Sequence, residues 1–540
     1  MISQFLKVYG LQSIGLGVVA FLVVQRLSRA DSLRGLFGVF RRRKKIHPKF
    51  KGSIRRSGSG DFRYFVVEED EYASVTDPRG GNTPGLNRLS SPRPISRQIK
   101  ALGLEQPLVI AMVGLPARGK SYLVKMIIRY LRWCGNECEV FNVGSLRRNK
   151  GMASVDSNFF SSENQSAKQL REKLAVEVQD AMYDWIHNSP DNSRIGIFDA
   201  TNTTKKRRLS LANRAREENA GILFIESICD DQSVLQKNYD LKLANDDYKG
   251  MDPIAALRDF KERVAAYERV YEAIDDEEIN EQISYIKIVN VGQKIITRNC
   301  SGYTASEISF FLQNVHVHPR RIYLTLTGES VQEATGLSSS GSGGGGGGGG
   351  SRGLTRKDSF LAGESFPLSS SGNRYAEWLG RFMENVEKSQ PECKNLLVLS
   401  GTQQVHVETV LHLRSNHPCY STPLLNELRG GDYQGFSQET IARLFPEEHA
   451  KRERDRLNYR YPGVGGESYV DVIDRVKPVI IELERQRRTV VVCAHIAVLR
   501  CIYAYFMGSR LEEVPFLPFK PHTLYELSTN PFGSTCKQVS

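Results

Sequence analysis

Cysteine is scarce in this sequence, and the few thiols are not grouped. The 540 residues include 9 Cys, and no two of them form a C-x-x-C pair. Structural zinc sites are usually built from such closely spaced thiols, so the spacing argues against a zinc site. Scattered thiols are typical of proteins from a reducing compartment.

Net charge is missing from most of the chain. The total is +12, but residues 1–100 hold 19 of the 73 Lys+Arg and only 7 of the 61 Asp+Glu. The other 440 residues therefore carry 54 charges of each sign. A basic excess confined to one tail does not indicate a nucleic-acid enzyme, so we predict no nucleic-acid partner.

A clear transmembrane run is missing too. Residues 8–25 are uncharged, but these 18 residues are at the lower limit for a membrane span, and they include three glycines. The basic cluster Arg41–Lys45 follows, so a membrane anchor with cytoplasmic catalytic domains is the alternative to a poorly ordered extension. No small-residue cleavage site follows the apolar run, which disfavours a cleaved targeting peptide. We predict a cytoplasmic protein whose N-terminus is the candidate for membrane contact.

Residues 46–100 have the composition of a disordered segment. They are rich in Ser, Gly, Pro and Arg, as in Arg55–Gly60 and Leu89–Arg97. Such a composition cannot bury a hydrophobic core. We therefore predict a basic, largely disordered extension over residues 1–100.

The globular part begins with a phosphate-binding motif. Residues 114–121 read GLPARGKS, which fits G-x-x-x-x-G-K-[ST]. The apolar run Leu108–Val113 predicts a buried strand before it, and apolar residues at helical spacing follow from Ser121. In this context backbone N–H groups and the helix dipole hold phosphate oxygens. Lys120 would reach the β- and γ-phosphates, and the Ser121 hydroxyl would ligate Mg²⁺.

Strand and helix patterns alternate after this motif. Further strands are predicted at 139–143, 194–198, 223–229 and 285–289, and helices at 166–187 and 254–273. Such alternation is typical of an α/β domain with a mostly parallel sheet, which binds ligands at the carboxyl ends of its strands.

A second α/β pattern begins at Arg321. A Gly-rich insertion at 338–372 interrupts it, and strands are predicted beyond it at 396–399 and 490–493. An unbroken glycine run such as Gly343–Gly350 has no structure of its own. The chain after Leu527 looks irregular, and we predict a tail at 531–540.

Asp199 follows the strand predicted at 194–198. A carboxylate there suits a role beside Mg²⁺ or the attacking hydroxyl, and a simple helix cap is the alternative. Basic side chains are frequent in the same part of the chain, and an acceptor that already carries phosphate needs such cations. For any single one of them, a solvated helix face is the alternative.

Five motifs in this order resemble the kinase domain of the 6-phosphofructo-2-kinase/fructose-2,6-bisphosphatase family: GLPARGKSY, FNVGSLRR, FDATNTTKKRR, FIESICDD and YIKIVNVG. The resemblance implies a P-loop nucleotide-kinase-like parallel sheet domain over residues 101–319. A histidine-phosphatase-like (phosphoglycerate-mutase-like) α/β domain over residues 320–530 would follow. The implied reaction is the ATP-dependent phosphorylation of fructose 6-phosphate at its 2-hydroxyl, which gives the glycolytic signal fructose 2,6-bisphosphate.

Carried over position by position, the resemblance implies three groups of residues. The residues at catalytic positions are Lys120, Asp199 and Cys229, although phosphoryl transfer does not require a thiol. The ATP-binding residues are Gly114, Leu115, Pro116, Ala117, Arg118, Gly119, Lys120, Ser121, Tyr122 and Asn238, with Ser121 and Asp199 at the Mg²⁺ site. The fructose 6-phosphate contacts are Arg147, Arg171, Thr201, Arg207, Lys242, Arg263 and Tyr267, of which Lys242 aligns only after a one-residue deletion.

The phosphatase half lacks the family's nucleophile. The family motif R-H-G-E corresponds to residues 326–329, LTGE, so Thr327 stands where the attacking histidine would be. A threonine hydroxyl with no identified base is far less nucleophilic than an imidazole. The segment that would grip phosphate, Ser400–His406, contains no Arg, and Ile496 replaces a glutamine.

Other positions keep the family pattern. They are Glu427 as the general acid, His495 as the second histidine, and Arg452, Arg456, Tyr459 and Tyr461 in the substrate-phosphate pocket. We predict a folded but inactive pseudo-phosphatase, and the alternative is that His495 or His406 takes over as nucleophile.

Two other functions compete with a one-way kinase. One is a bifunctional enzyme with residual hydrolysis, and the other is a non-catalytic sensor or scaffold that binds sugar phosphates. The intact motif Gly114–Ser121 and Asp199 argue against the sensor. The sequence leaves open whether the protein is a homo-oligomer.

Overall fold

The computed structural model describes residues 106–153, 155–189, 193–243, 247–275, 283–335, 366–390, 395–530 and 533–539. We call residues 106–319 the first half and residues 320–539 the second half. The predicted N-terminal extension, its apolar stretch at 8–25 and nearly all of the Gly-rich insertion lie outside the described residues. Within the described ranges, no helix has the length and apolar character that a membrane span needs.

The first half is built on a six-stranded sheet with the order β2-β3-β1-β4-β5-β6. All neighbouring strands pair in parallel except β5 and β6. The strands are β1 (Leu108–Val113), β2 (Cys138–Asn142), β3 (Ile195–Asp199), β4 (Gly221–Ile228), β5 (Ser284–Val289) and β6 (Lys294–Arg298).

Seven helices accompany this sheet in the described residues. They are α1 (Lys120–Trp133), α2 (Val143–Asn149), α3 (Gln165–His187), α4 (Lys205–Glu217), α5 (Gln232–Leu243), α6 (Pro253–Glu268) and α7 (Tyr303–Leu312). Polar side chains begin several of them, because a side-chain oxygen can accept from the otherwise unpaired amides of the first turn. Asn142, Asn164, Thr204 and Asp252 act in this way.

The second half is built on a second six-stranded sheet, with the order β12-β11-β7-β10-β8-β9. The pairs among β7, β8, β9 and β10 are parallel, and β11 and β12 add antiparallel strands at one edge. The strands are β7 (Arg320–Thr325), β8 (Leu397–Ser400), β9 (Cys419–Ser421), β10 (Val490–Cys493), β11 (Leu524–Asn530) and β12 (Gly533–Val539).

The helices of the second half include two long ones that pack on the first half. These are α14 (Tyr469–Arg485), which begins with a capping box at Ser468, and α15 (Ile496–Met507). The others are α8 (Val331–Thr335), α9 (Ser370–Ser389), α10 (Gln404–Thr409), α11 (Leu411–Arg414), α12 (Gln438–Leu444) and α13 (Pro446–Arg454).

The predicted fold class, two α/β parts with mostly parallel sheets, is confirmed. The prediction of an irregular chain after Leu527 was wrong, because β11 continues to Asn530 and β12 pairs with it residue by residue. Short polar strands of this kind carry little hydrophobic signal when only one face is covered. The helix predicted to Ala273 ends at Glu268.

One hydrophobic core runs through both halves. Buried residues of β1 and α1, such as Ile127, belong to the same packed cluster as Ile480 of α14 and Ile502 of α15. The phosphate-binding helix is therefore packed on both sides, between its own sheet and the second half.

Candidate active site

Backbone contacts with neighbouring segments shape the loop between β1 and α1. The Gly114 amide donates to the Thr201 carbonyl at 2.9 Å, and the Ser227 hydroxyl donates to the Arg118 carbonyl. Gly114 has a φ of +131°, and a Cβ there would lie 2.5 Å from the Ser227 carbonyl oxygen, so only glycine fits. Gly119, with a φ of +88°, then turns the chain into α1.

Side chains from α5 and α6 support the middle of the loop. The Asn238 amide donates to the carbonyl of Ala117 at 2.9 Å, and Ala117 itself has a left-handed φ of +58°. The Arg118 guanidinium donates to Glu268 at 3.2 Å, which ties the loop to the end of α6. Asn238, predicted as a nucleotide contact, thus also holds the conformation of the phosphate loop.

The ammonium group of Lys120 is buried beneath this loop. Its Nζ donates to the carbonyls of Gly114 at 2.8 Å and Leu115 at 2.6 Å. Burial lowers the pKa of Lys120 to about 7; nearby Asp199 opposes the shift, and Lys242 adds to it. The helix that starts at Lys120 points its positive dipole end toward the same place. The site is thus arranged to receive negative charge.

Ser121 and Tyr122 follow in the first turn of α1. Ser121 is exposed, whereas the Tyr122 hydroxyl donates to the His316 carbonyl at 2.9 Å. The Tyr122 side chain therefore belongs to the contact beside the second half, and only its backbone lies next to the loop. Its predicted part in ATP binding is thus limited to the main chain.

Asp199 ends β3 next to the loop and is buried. Asn142, opposite it on β2, donates a side-chain hydrogen bond to its carboxylate and also caps α2 by accepting from the Ser145 amide at 2.8 Å. Burial raises the pKa of Asp199 above its ordinary value, although Lys120 and the Asn142 bond oppose the shift. A carboxylate with a raised pKa at a strand end suits an acceptor of hydrogen bonds from a sugar hydroxyl.

The lowered pKa of Lys120 predicts that the protein takes up a proton when ATP binds. At pH 8 a group with a pKa of about 7 is mostly neutral, and bound triphosphate favours its charged form, so ATP binding should take up close to one proton. Calorimetric titrations in two buffers of different ionisation enthalpy measure this uptake. Lys120→Met, which has no ammonium group, should take up none. Equal uptake by both proteins would contradict this assignment.

Three of the predicted sugar-phosphate residues meet around one carboxylate and one aromatic ring. Arg147 donates twice to Asp247 at 2.7 Å, and Arg263 donates to the same carboxylate at 3.3 Å. The Arg263 guanidinium lies 3.8 Å from the centre of the Phe160 ring, and the Tyr267 ring centre lies 5.9 Å from it. Burial alone would raise the pKa of Asp247, but Arg147 and Arg263 have the larger effect, so the pKa lies below its ordinary value. An ionised carboxylate therefore fixes two guanidinium groups side by side.

The remaining predicted cations differ in their partners. Arg171 donates to the carbonyls of Phe159 and Ser161, on the same turn as Phe160. Arg207 and Lys242 make no side-chain hydrogen bond or ion pair in the described part of the chain, and burial lowers the pKa of both. Partly buried cations with no such partner suit the binding of a phosphate group.

Cys229, at the end of β4, is buried and its thiol is unreactive. Burial raises the pKa of its thiol, and its sulfur donates to the Asp231 carbonyl at 4.0 Å. A protonated thiol is a poor nucleophile. The geometry therefore supports a packing role at the site's edge.

The strand register of the second half brings three predicted positions together. Cys493 of β10 pairs with Thr325 of β7 and with Ser400 of β8. Thr327, Thr402 and His495 each lie two residues beyond these paired residues, at the same carboxyl edge of the sheet. The strand ends that carry these three positions therefore meet at one edge of the sheet.

His406 occupies the floor of this second site. It is fully buried, and its ring centre lies 4.7 Å from that of His495. Burial lowers the pKa of His406 to about 3, so the imidazole is neutral. The exposed side chain of Thr402 is paired with Asn426 instead of facing a phosphate. No cation therefore stands where the family's phosphate-gripping arginine would be.

The two arginines kept from the family pattern are already paired. Arg452 donates to Glu453 at 2.8 Å, and Arg456 donates to the same carboxylate at 3.1 Å. Glu427 is exposed and makes no side-chain hydrogen bond in the described residues. The charges at this edge are therefore largely cancelled within the chain.

Comparisons with known proteins find matches for both halves of the chain. Residues 96–319 match the 6-phosphofructo-2-kinase family model, and residues 353–540 match the histidine phosphatase superfamily (branch 1). A 6-phosphofructo-2-kinase/fructose-2,6-bisphosphatase of Aquarana catesbeiana is 37% identical over 437 residues, which cover 80% of this chain and 84% of that protein. The chain belongs to the 6-phosphofructo-2-kinase/fructose-2,6-bisphosphatase family. The predicted enzyme class, a 6-phosphofructo-2-kinase, is confirmed by these matches.

Two further relatives have similar sequence identity to this chain. A protein of the same name in Caenorhabditis elegans is 36% identical and covers 78% of this chain and 86% of its own length. The 6-phosphofructo-2-kinase 1 of Saccharomyces cerevisiae is 37% identical over 79% of this chain, and the match spans 51% of that longer protein. Named relatives therefore include both bifunctional proteins and one named as a kinase alone.

A kinase of this family uses ATP, and Mg²⁺ is the usual companion of the triphosphate. The oxygen donors fit a hard cation: the Ser121 hydroxyl at the start of α1 and the buried carboxylate of Asp199. Sites for Mg²⁺ commonly use one or two protein oxygens and complete their shell with phosphates and water.

Sequence reasoning missed three residues that organise the kinase site. Asn142 holds Asp199, Asp247 holds Arg147 and Arg263, and Phe160 stacks against Arg263. All three are polar or aromatic residues in or beside short turns, where local sequence gives no indication of the distant partner. Only the fold brings residue 247 to residue 147.

Proposed function

We propose that this chain is a one-way enzyme. It transfers the γ-phosphoryl group of ATP to the 2-hydroxyl of fructose 6-phosphate, and its second half does not hydrolyse the fructose 2,6-bisphosphate that forms. The observation that supports this proposal is the contrast between the two sites. The first has a complete phosphate loop, a buried lysine and a cluster of cations, whereas the second keeps His495 but has Thr327 and Thr402 where the family pattern has the attacking histidine and a phosphate-binding arginine.

The residues of the first site have different roles in the reaction. Loop amides and Lys120 bind the β- and γ-phosphate oxygens, where negative charge grows as the bond to the leaving group breaks. Bound Mg²⁺ would neutralise charge on the same oxygens, held by Ser121 and Asp199. Asp199 also accepts a hydrogen bond from the attacking hydroxyl and orients it.

The sugar phosphate is held by the cation cluster. Arg207 and Lys242 make no side-chain hydrogen bond or ion pair among the described residues, and Arg147 and Arg263 are fixed by Asp247. Positioning is the largest contribution that such a cluster makes, because holding two reactants in line replaces a costly encounter in solution. A cytoplasmic location, self-association and membrane contact through the N-terminus stay predictions.

Formation and loss of fructose 2,6-bisphosphate test the proposal directly. Purified protein is given Mg-ATP and fructose 6-phosphate, ATP is then removed, and the product is followed over time. We expect formation without loss. Formation followed by loss would show a bifunctional enzyme, and binding of fructose 6-phosphate without any formation would favour a sensor.

A single substitution should not restore hydrolysis at the second site. We expect Thr327→His to leave hydrolysis undetectable, because Thr402 and Leu326 supply no cation and Glu453 already occupies Arg452 and Arg456. Release of inorganic phosphate from fructose 2,6-bisphosphate measures the outcome. Thr409→His at a buried position beside the site serves as a folding comparison. Robust hydrolysis by Thr327→His would show that the phosphate needs no arginine here.

A further inference from the structure

One face of the phosphate-binding helix α1 is directed at the second half. Tyr122, Met126, Arg129 and Trp133 are spaced by four, three and four residues, which places them on a single helical face. The Trp133 indole donates to the Cys501 carbonyl of α15 at 2.8 Å, and its ring centre lies 5.5 Å from that of Tyr505. The helix that begins with Lys120 therefore ends against the second half.

A buried charged cluster joins the two halves at this face. Arg129 of α1 and Arg320 of β7 each donate to Glu484 of α14 at 2.7 Å. The Tyr505 hydroxyl donates to the same carboxylate at 2.8 Å, and the Arg129 guanidinium lies 4.5 Å from the centre of the Tyr505 ring. The Glu484 side chain is only 1% exposed. Burial raises the pKa of Glu484, but the two arginines outweigh this and lower it, so the carboxylate is ionised.

Such a cluster fixes a geometry more than it adds stability. Well-packed apolar residues often replace a buried ion pair without loss of stability, because desolvation offsets much of the attraction. Removing one partner from the cluster, in contrast, leaves the others buried and unpaired. Two guanidinium groups and a hydroxyl that all need one carboxylate permit a narrow range of positions for α1.

The position of α1 matters for the reaction because Lys120 is its first residue. Arg129 lies nine residues further on, about 14 Å along the same helix at 1.5 Å per residue. A packed helix moves as a unit, so a shift at Arg129 changes the place of Lys120 beneath the loop. Displacements near 1 Å at a reacting centre can cost roughly 10²-fold in rate.

We propose that Glu484 is a positioning residue for the kinase reaction, acting through Arg129 on the phosphate-binding helix. The second half then serves the first as a fixed support for the catalytic lysine. This role rests on the proposed kinase function and goes beyond it, since it assigns a task to the half whose own chemistry is lost.

The test compares Glu484→Gln with a matched control in the full-length protein. Glu139→Gln, on β2, removes a carboxylate that pairs at 2.9 Å with Arg132 of α1. This pair is exposed and does not involve the second half. Steady-state kinetics give kcat and KM for both substrates, and hydrogen exchange reports the amides of residues 120–133. The double variant Arg129→Met/Glu484→Gln completes a mutant cycle.

We expect Glu484→Gln to lower kcat about tenfold, with the KM for fructose 6-phosphate nearly unchanged, and to speed exchange in 120–133 relative to α3. The double variant should lose no more kcat than the single one, because Arg129, the one of the two unpaired cations that lies on α1, is gone while Arg320 of β7 stays. Wild-type kcat and exchange in folded Glu484→Gln would overturn the role, as would an equal loss in Glu139→Gln. An inactive wild-type protein would instead contradict the proposed function, and the exchange result would still decide whether Glu484 holds the helix.

Discussion

Replacing Lys120 by methionine should lower kcat for fructose 2,6-bisphosphate formation by roughly 10²–10³-fold, the usual cost of losing one charge-stabilising donor. The methionine side chain has a similar length and suits a buried position, so the fold should survive. What is lost is the ammonium group that lies against the carbonyls of Gly114 and Leu115 and next to Asp199. Initial rates at saturating Mg-ATP measure the effect.

Lys125→Met is the matched control for this variant. Lys125 lies on the same helix, five residues further on, but its side chain is exposed and away from the loop. It should keep the wild-type rate and melting temperature. Full activity in Lys120→Met would remove this lysine from the mechanism, whatever the control shows.

Asp199→Asn should reduce kcat by roughly 10²–10⁴-fold, in the range found for the loss of a group that handles a proton. The amide oxygen can still accept the hydrogen bond from Asn142, so the local geometry is kept while the negative charge is lost. The charge has a second effect, because Asp199 raises the pKa of Lys120 against the effect of burial. Without it, Lys120 of the free enzyme becomes neutral at lower pH, so the deficit in kcat/KM for ATP should deepen between pH 7 and 8.

Measuring kcat at pH 7 tests the first part of this prediction, and a pH series of kcat/KM for ATP tests the second, because kcat/KM reports the pKa of Lys120 in the free enzyme. Asp184→Asn, an exposed position on α3, removes the same charge far from the loop and should follow the wild-type profile. A parallel loss at every pH would mean that Asp199 acts without influencing Lys120. An unchanged kcat at pH 7 would contradict a catalytic role for the carboxylate.

The sequence predicted the phosphate loop well because every part of it is local. The glycines, Lys120 and Ser121 lie within eight consecutive residues, and the flanking strand and helix have strong apolar patterns. The same holds for the strand ends at Asp199 and Thr327, where a short buried run stops. The prediction that the phosphatase half is inactive likewise rests on a single residue, Thr327, in a short motif.

The edge of the second sheet was mispredicted for the opposite reason. β12 has exposed and half-buried residues in alternation and gains its order from pairing with β11. Backbone hydrogen bonds of that kind depend on a partner strand and leave little trace in the sequence. Residues that act only through distant partners, such as Asp247 and Phe160, escaped prediction in the same way.

The sequence by itself determined which phosphate loop this protein has, that a threonine stands in the LTGE segment at residue 327, and which family it resembles. These properties depend on residue types at fixed short spacings. Only the tertiary structure decided how the two halves are joined, since Arg129, Arg320 and Glu484 are far apart in the chain and meet in one buried cluster. Burying such charges is costly unless all partners are present, and that requirement is met by the packing of whole helices rather than by any local pattern.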